Sequence, residues 1–361
     1  MILGFGEIML RVNPVGTRRF LQALPGMAEC TFGGGEANVC ASLAILGVKT
    51  RYLTALPKHQ IADAVVKTLR GLGVDTGAIL RRDAGRLGIY FLEAGANQLP
   101  STVVYDREFS AVSLAEPAEY DLDVALEGVT HVHLTGITPS LGRAAHESTV
   151  AVARKAKERG CTVSCDLNYR KKLWRWEAGT QPRDLARRCM TEILPSVDLV
   201  IGNEEDAHQV LGIEARDTQV EGGQVDARAY PDVAREICRQ FSNVSQVAIT
   251  LRESFSASHN GWGAMLYEST DDAAYFAPLD EEGNYQPWQI RQIIDRVGGG
   301  DSFAAGLFFA LLHEKQPPER AIATAVAASC LKHSIDGDMN YATAAQIAAL
   351  AGGQATGRVQ R

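Results

Sequence analysis

The chain has 361 residues, 46% apolar and 22% charged, enough for a full globular core and inconsistent with a disordered, collagenous or disulfide-scaffold polypeptide. The excess of 43 acidic over 36 basic residues, without a long basic run, argues against a nucleic-acid-binding face. Seven cysteines with no C-x-x-C pair, and no apolar stretch near the ~18 residues of a membrane span, predict reduced thiols in a cytoplasmic protein that is neither exported nor membrane-bound.

Short apolar runs alternate with longer amphipathic ones, which predicts an α/β fold with a doubly wound, mostly parallel sheet flanked by helices. The chain starts with a strand over 2–9. Residues 11–31 then break the alternation, and a helix over 36–46 and a strand over 50–55 restore it. After a helix over 61–72, residues 88–112 break it again. Both irregular stretches carry strand-like residues, so they are expected to pair as a small β-sheet flap, or lid, beside the main sheet. Strands over 131–135, 162–166, 199–202 and 247–251 follow, with helices over 143–159, 204–211 and 231–241. Residues 214–229 and 268–289 read as loops, and helices over 302–312 and 319–333 end the pattern. The length allows two domains, but this order is read as one domain over 1–361.

The segment Asp295-Arg-Val-Gly-Gly-Gly-Asp301 carries the most chemistry. Consecutive glycines let backbone N–H groups converge on one point, and a following helix adds positive potential there, so Gly298, Gly299 and Gly300 form a candidate anion nest. Asp301 beside it could take a proton from an attacking hydroxyl, or serve only as a helix cap. Gly33-Gly-Gly-Glu-Ala-Asn38 repeats the theme, with Gly34 and Gly35 allowing a ligand close to the backbone and Asn38 one turn on. Asp166, Asn168 and Arg170 alternate at a strand's carboxyl end, the edge where open α/β sheets bind ligands. Asn203 ends another strand, and Glu205 and Asp206 after it could hold Mg²⁺ directly or through water. In the flap, Tyr105 and Arg107 share a face near Tyr90, and Arg11 supplies a second cation, which together would suit an anionic substrate. His131 and His133 alternate on a strand but lack a third ligand nearby, so packed histidines are expected there.

Together these segments resemble the ribokinase-like, or PfkB, family of carbohydrate kinases, whose signatures are an early Gly-Gly before a helix and a late D-x-x-G-A-G-D. Tyr105-Asp-Arg107, His133-Leu-Thr-Gly-Ile-Thr-Pro139 and Asp166-Leu-Asn-Tyr-Arg170 are similar to the branch acting on 2-keto-3-deoxygluconate. The resemblance implies ATP and Mg²⁺ as cofactors and phosphorylation of the 6-hydroxyl of that sugar acid, with Asp301 as base. It places the keto acid on Gly34, Tyr90, Tyr105, Arg107 and Arg170, and the nucleotide near Asn168, Asn203, Thr250, Arg252, Gly298 and Gly300. It also implies a homo-oligomer formed through the lid. A neutral sugar such as fructose or ribose, 2-keto-3-deoxygalactonate, or a non-catalytic sugar-acid sensor are the alternatives. The chain departs from the family in reading Gly-Gly-Gly where Gly-Ala-Gly is usual, and in a longer stretch after Thr250.

Overall fold

In a computed structural model, which describes residues 1–203, 205–213 and 226–354, the run Ile-Leu-Gly-Phe forms a wholly buried strand, β1 (Ile2–Phe5). Helix α1 (Gly35–Ile45) packs so close to it that a Cβ at Gly4 would stand 2.7 Å from Cys40 Sγ. The chain leaves β1 at Gly6, where a Cβ would stand 2.1 Å from Glu36 Oε2, and enters β2 (Met9–Pro14) of a second sheet. The single strand expected over 2–9 is therefore two, and Arg11 belongs to the second.

Strand β2 pairs antiparallel with β3 (Ala28–Gly33), and a short helix, Phe20–Ala23, lies between them in a stretch where no helix was expected. After α1 the chain returns as β4 (Thr50–Leu53), parallel to β1. Strands β5 (Ala55–Pro57) and β6 (Leu80–Arg82) make a parallel ribbon on either side of helix α2 (Gln60–Gly71). Strands β7 (Ile89–Glu93) and β8 (Thr102–Asp106) then complete the small sheet in the order β3-β2-β7-β8.

The main sheet is built next. Strands β9 (His131–Thr135), β10 (Thr162–Asp166), β11 (Leu199–Asn203) and β12 (Gln246–Ser256) add in parallel on the other side of β1. Helices α3 (Arg143–Glu158), α4 (Pro182–Ile193) and α5 (Tyr230–Gln240) supply the crossovers. Strand β13 (His259–Glu268) turns back antiparallel, and β14 (Ala273–Ala277) and β15 (Trp288–Ile290) pair with it. The region expected as a loop over 268–289 thus contains strand β14 and the start of β15. Its half-buried, short strands form an antiparallel edge, which lacks the continuous apolar run of central strands. The long stretch after Thr250 is a hairpin of β12 and β13. Of the loop expected over 214–229, residues 214–225 lie outside the described residues, as does Glu204 at the start of the helix expected over 204–211.

Helices α6 (Gly299–Phe308) and α7 (Pro318–Lys332) cover the face that α1 covers. Helix α6 starts three residues before the expected Ser302, because Gly298 takes a left-handed φ of 81° and opens the helical turn at once. Phe303 and Phe308 are both fully buried, and Phe308 touches the rings of His131 and His133. These histidines share the hydroxyl of Ser164, and burial pushes both down to about 3, so they are neutral packing groups.

Phe303→Ala should cost about 3–5 kcal/mol through the cavity it leaves. Urea unfolding would read this as a lower midpoint with an unchanged slope.

Candidate active site

Parallel strands deliver their side chains to one edge, and here the carboxyl ends of β1, β10, β11 and β12 open on a cavity of about 510 Å³ that the small sheet covers from above. Strand β1 lies between β4 and β9, so the cavity sits where the chain's winding direction reverses. Gly34, Gly35 and Asn38 line it from α1, and Tyr90, Tyr105 and Arg107 from the small sheet. Asn168, Arg170, Asn203, Asp206, Thr250 and Arg252 line it from the sheet edge, and Gly298, Gly299, Gly300 and Asp301 from α6. Glu205 is not among its walls: the residue is exposed and its carboxylate accepts from Gln209 Nε2 at 2.9 Å.

Asp301 stands in the first turn of α6, and burial pushes its carboxyl up to about 6. Asn38 Nδ2 donates to Asp301 Oδ2 at 2.7 Å and opposes that shift, while the nearby Asp338 carboxylate adds to it. The Asn38 amide is itself fixed, because its Oδ1 accepts from the Gly34 N–H at 3.2 Å. Asn38 thus reaches the carboxylate from one side and the glycine turn from the other. Next to it, the N–H groups of Gly300 and Asp301 have no acceptor among the described residues, and a Cβ at Gly300 would meet no atom within 4 Å. Two donors without an acceptor among the described residues thus stand at a helix N-terminus on the cavity wall, beside a buried carboxylate. That arrangement can hold an anion and accept a proton from whatever attacks it.

The cations divide into two kinds. Arg11 was a candidate for an anionic substrate, but its Nη1 bonds Asp338 Oδ1 at 2.8 Å and its Nη2 meets Asp295 Oδ2 at 2.6 Å. All three are buried, so Arg11 serves as an internal tie between the small sheet and the segments around α6. Losing one partner of such a network costs about 3–5 kcal/mol. Arg107 Nε bonds Glu7 Oε2 at 2.7 Å, and its Nη2 touches the same oxygen. Its guanidinium also lies 5.3 Å from the Tyr105 ring centroid, and its Nη1 has no hydrogen-bond partner among the described residues. Arg170 Nη1 donates to the Tyr169 carbonyl at 2.9 Å, and among the described residues it forms no ion pair. Its positive charge favours the ionised forms of Asp166, Asp206 and Asp301.

Asp166, Asn168 and Arg170 do not share an extended strand face, because Asn168 turns left-handed at a φ of 37°. The bend brings Asn168 Nδ2 to within 3.4 Å of Asp166 Oδ2. Asp206 accepts from the N–H groups of Tyr169 at 3.1 Å and Asn203 at 3.0 Å, so both its oxygens are engaged by backbone. Among the described residues no three His, Cys, Asp or Glu side chains form a metal-binding group.

Three acidic or basic walls, Glu7, Glu36 and Arg296, escaped the reading of the sequence, and Asp338 lines the cavity with them. Glu7 follows β1 with its Oε1 buried and unpartnered among the described residues. Glu36 takes hydrogen bonds from the hydroxyls of Thr135 at 2.7 Å and Thr138 at 2.9 Å, and burial pushes it up to about 7. Asp338 accepts from Tyr90 Oη at 2.6 Å on both oxygens. Arg296 donates to the Ala257 carbonyl at 2.5 Å, and Ala257 N–H donates to Asn97 O at 2.7 Å in the loop joining β7 and β8. Position offered a hint in two cases: Glu7 interrupts the first apolar run and Glu36 sits inside the glycine motif.

Because the Asn38 amide stabilises only the charged Asp301, Asn38→Ala should raise the carboxyl's pKa. The acidic limb of kcat/KM should then move to higher pH by about 1 unit, which a pH–rate profile of both proteins would show.

Residues 2–251 and 257–343 match the family described as pfkB family carbohydrate kinase. A 2-dehydro-3-deoxygalactonokinase of Haloferax volcanii is 30% identical over 95% of this chain and 93% of its own length. A 2-dehydro-3-deoxygluconokinase of Thermoproteus tenax is 26% identical over 93% of this chain and 89% of its own. The crystal structure of a 2-dehydro-3-deoxygluconokinase from Thermotoga maritima superposes with a TM-score of 0.86 at 40% identity, covering 97% of this chain and 99% of that one. The helix-borne glycine turn, its buried aspartate and a match along nearly the whole length agree: the chain belongs to the pfkB family and is a carbohydrate kinase.

Proposed function

We propose that this kinase transfers the γ-phosphoryl group of ATP to the 6-hydroxyl of 2-keto-3-deoxy-D-gluconate. The observation that carries the reading is Asp301, a buried carboxylate oriented by Asn38 beside the open N–H groups of Gly300 and Asp301. Asp301 takes the hydroxyl proton as the oxygen attacks phosphorus, and the two N–H groups meet the charge spread over the transferred phosphoryl oxygens. Tyr105, Arg107 and Arg170 receive the sugar acid, with the free Nη1 of Arg107 available to its carboxylate. The relatives support a six-carbon keto acid, since the Haloferax volcanii and Thermotoga maritima proteins are named for its galacto and gluco forms.

The nucleotide fits the other end of the cavity, where Asn203, Thr250 and Arg252 lead to the glycine turn. The described carboxylates do not build a self-sufficient metal cage, which suits Mg²⁺ arriving on the ATP phosphates and keeping several waters. Asp166, Asn168 and Asp206 are the groups that would hold those waters, and the ion would neutralise phosphate charge. The small sheet excludes bulk water above the sugar, limiting transfer of phosphate to water.

Coupled ADP release with 2-keto-3-deoxygluconate, 2-keto-3-deoxygalactonate, fructose and ribose tests the acceptor. The keto acids should be strongly preferred, and Arg107→Ala should raise KM for them roughly tenfold or more while barely affecting a neutral sugar. Preference for fructose or ribose would overturn the assignment of the arginines. Asp301→Asn should lower kcat by about 10²–10⁴ with little change in KM, and wild-type turnover in that variant would remove Asp301 from the base role.

A further inference from the structure

A lysine is among the residues least often fully buried, yet Lys332 has no exposed surface and ranks with Phe303 and Phe308 among the largest buried side chains. It ends α7 and points inward. Its ammonium donates to the backbone carbonyl of Ile335 at 2.9 Å and lies 3.5 Å from that of Asp295. A lysine that only capped its own helix could meet the first acceptor from solvent. This one also reaches a different segment, the loop that enters the glycine turn.

Three pieces of backbone meet around that ammonium. Asp295 Oδ1 accepts from Val297 N–H at 2.9 Å and its Oδ2 from Gly337 N–H at 3.1 Å, joining the entry loop to the segment after α7. Gly298 then passes so close to the Asp338 carbonyl that a Cβ would stand 1.9 Å from it. Ser329, one turn before Lys332, donates to the Gly299 carbonyl at 2.6 Å. The placement of Gly298 to Asp301 therefore depends on how segments 295–298 and 335–338 are held against α7. Burial, helped by Arg11, holds the Lys332 ammonium below the ordinary lysine range, while the carboxylates of Asp295, Asp338 and Asp336 oppose that shift and favour its charge.

We infer that Lys332 is a positioning residue for phosphoryl transfer, a built-in cation that clamps the carbonyls of Asp295 and Ile335 and so fixes the glycine turn beside Asp301. The inference rests on the reading of that turn as the phosphoryl site. Lys332 does not touch the substrates, so its loss should act on turnover and leave binding nearly intact.

The test is Lys332→Met, which keeps an apolar stem one atom shorter and removes the charged end, assayed with the sugar acid the wild-type enzyme prefers. The expected result is a roughly 10- to 100-fold loss of kcat with KM for sugar and ATP changed little. Ammonium or methylammonium chloride, small enough to enter the vacated space, should restore part of kcat in a saturable way, while choline chloride at equal ionic strength should not. Unchanged kcat would overturn the inference. So would a loss that neither amine repairs, since that is what a purely structural lysine would give. Thermal unfolding of Lys332→Met separates the two: a loss of kcat with KM unchanged at temperatures well below its Tm supports positioning, and a loss that only tracks the unfolded fraction overturns it. Asp301→Asn is assayed alongside. Full activity there would sink the reading of the turn itself, whereas a dead Asp301→Asn beside a fully active Lys332→Met would sink only the role of the lysine.

Discussion

A carboxylate kept from water is costly unless something nearby favours its charge, and the architecture of this kinase is arranged around that constraint at Asp301. One donor comes from α1 through Asn38, and the rest of the compensation comes from the N-terminus of α6 and the more distant charges of Arg170 and Lys332. The result is a group near the middle of the physiological range, where a base can both take and release a proton. Neither helix could supply this alone. The close packing of α1 on β1, which Gly4 permits, therefore serves the chemistry as well as the core.

The same logic governs the other buried charges. Arg11 and Arg107 look alike in the sequence as flap cations, but Arg11 is tied to two buried carboxylates, whereas Arg107 has one, Glu7, and an Nη1 without a partner among the described residues. Pairing of this kind depends on residues more than 300 positions away, such as Asp338 for Arg11, and no local pattern announces it. A charged side chain on a strand reads as a ligand contact or a solvated group until its partner is known.

That contrast explains how much was legible beforehand. The central parallel strands carried short apolar runs between helical stretches, so β9, β10 and β11 stood out, as did the small sheet from its strand-like residues. Motifs whose function depends on local backbone, such as Gly298 to Asp301, were visible because a left-handed turn and a helix start are written in adjacent residues. The antiparallel edge, with its short half-buried strands β14 and β15, was not. The division of the first strand at Gly6 was hidden too, since the apolar run continues through Ile8 and Met9 while the chain changes sheets. The pairing of Asp338 with Arg11 and the burial of Lys332 lay beyond reach for the reason given for Arg11: they depend on long-range contacts.

The small sheet is fastened unequally at its two ends. At its root, β2 is anchored by the buried contacts of Arg11 with Asp338 and Asp295. At its rim, the loop joining β7 and β8 meets the β12–β13 hairpin through two hydrogen bonds, from Ala257 N–H to Asn97 O and from Asn97 N–H to Ser258 Oγ. Two such bonds contribute about 2 kcal/mol together, an opening equilibrium of roughly one part in thirty, while the root is worth more than either bond. Thermal fluctuation therefore releases the rim first and leaves the root as a pivot. Because the hairpin also accepts Arg296 from the loop entering the glycine turn, the rim acts as a mechanical link between the small sheet and the glycine-turn end of the cavity.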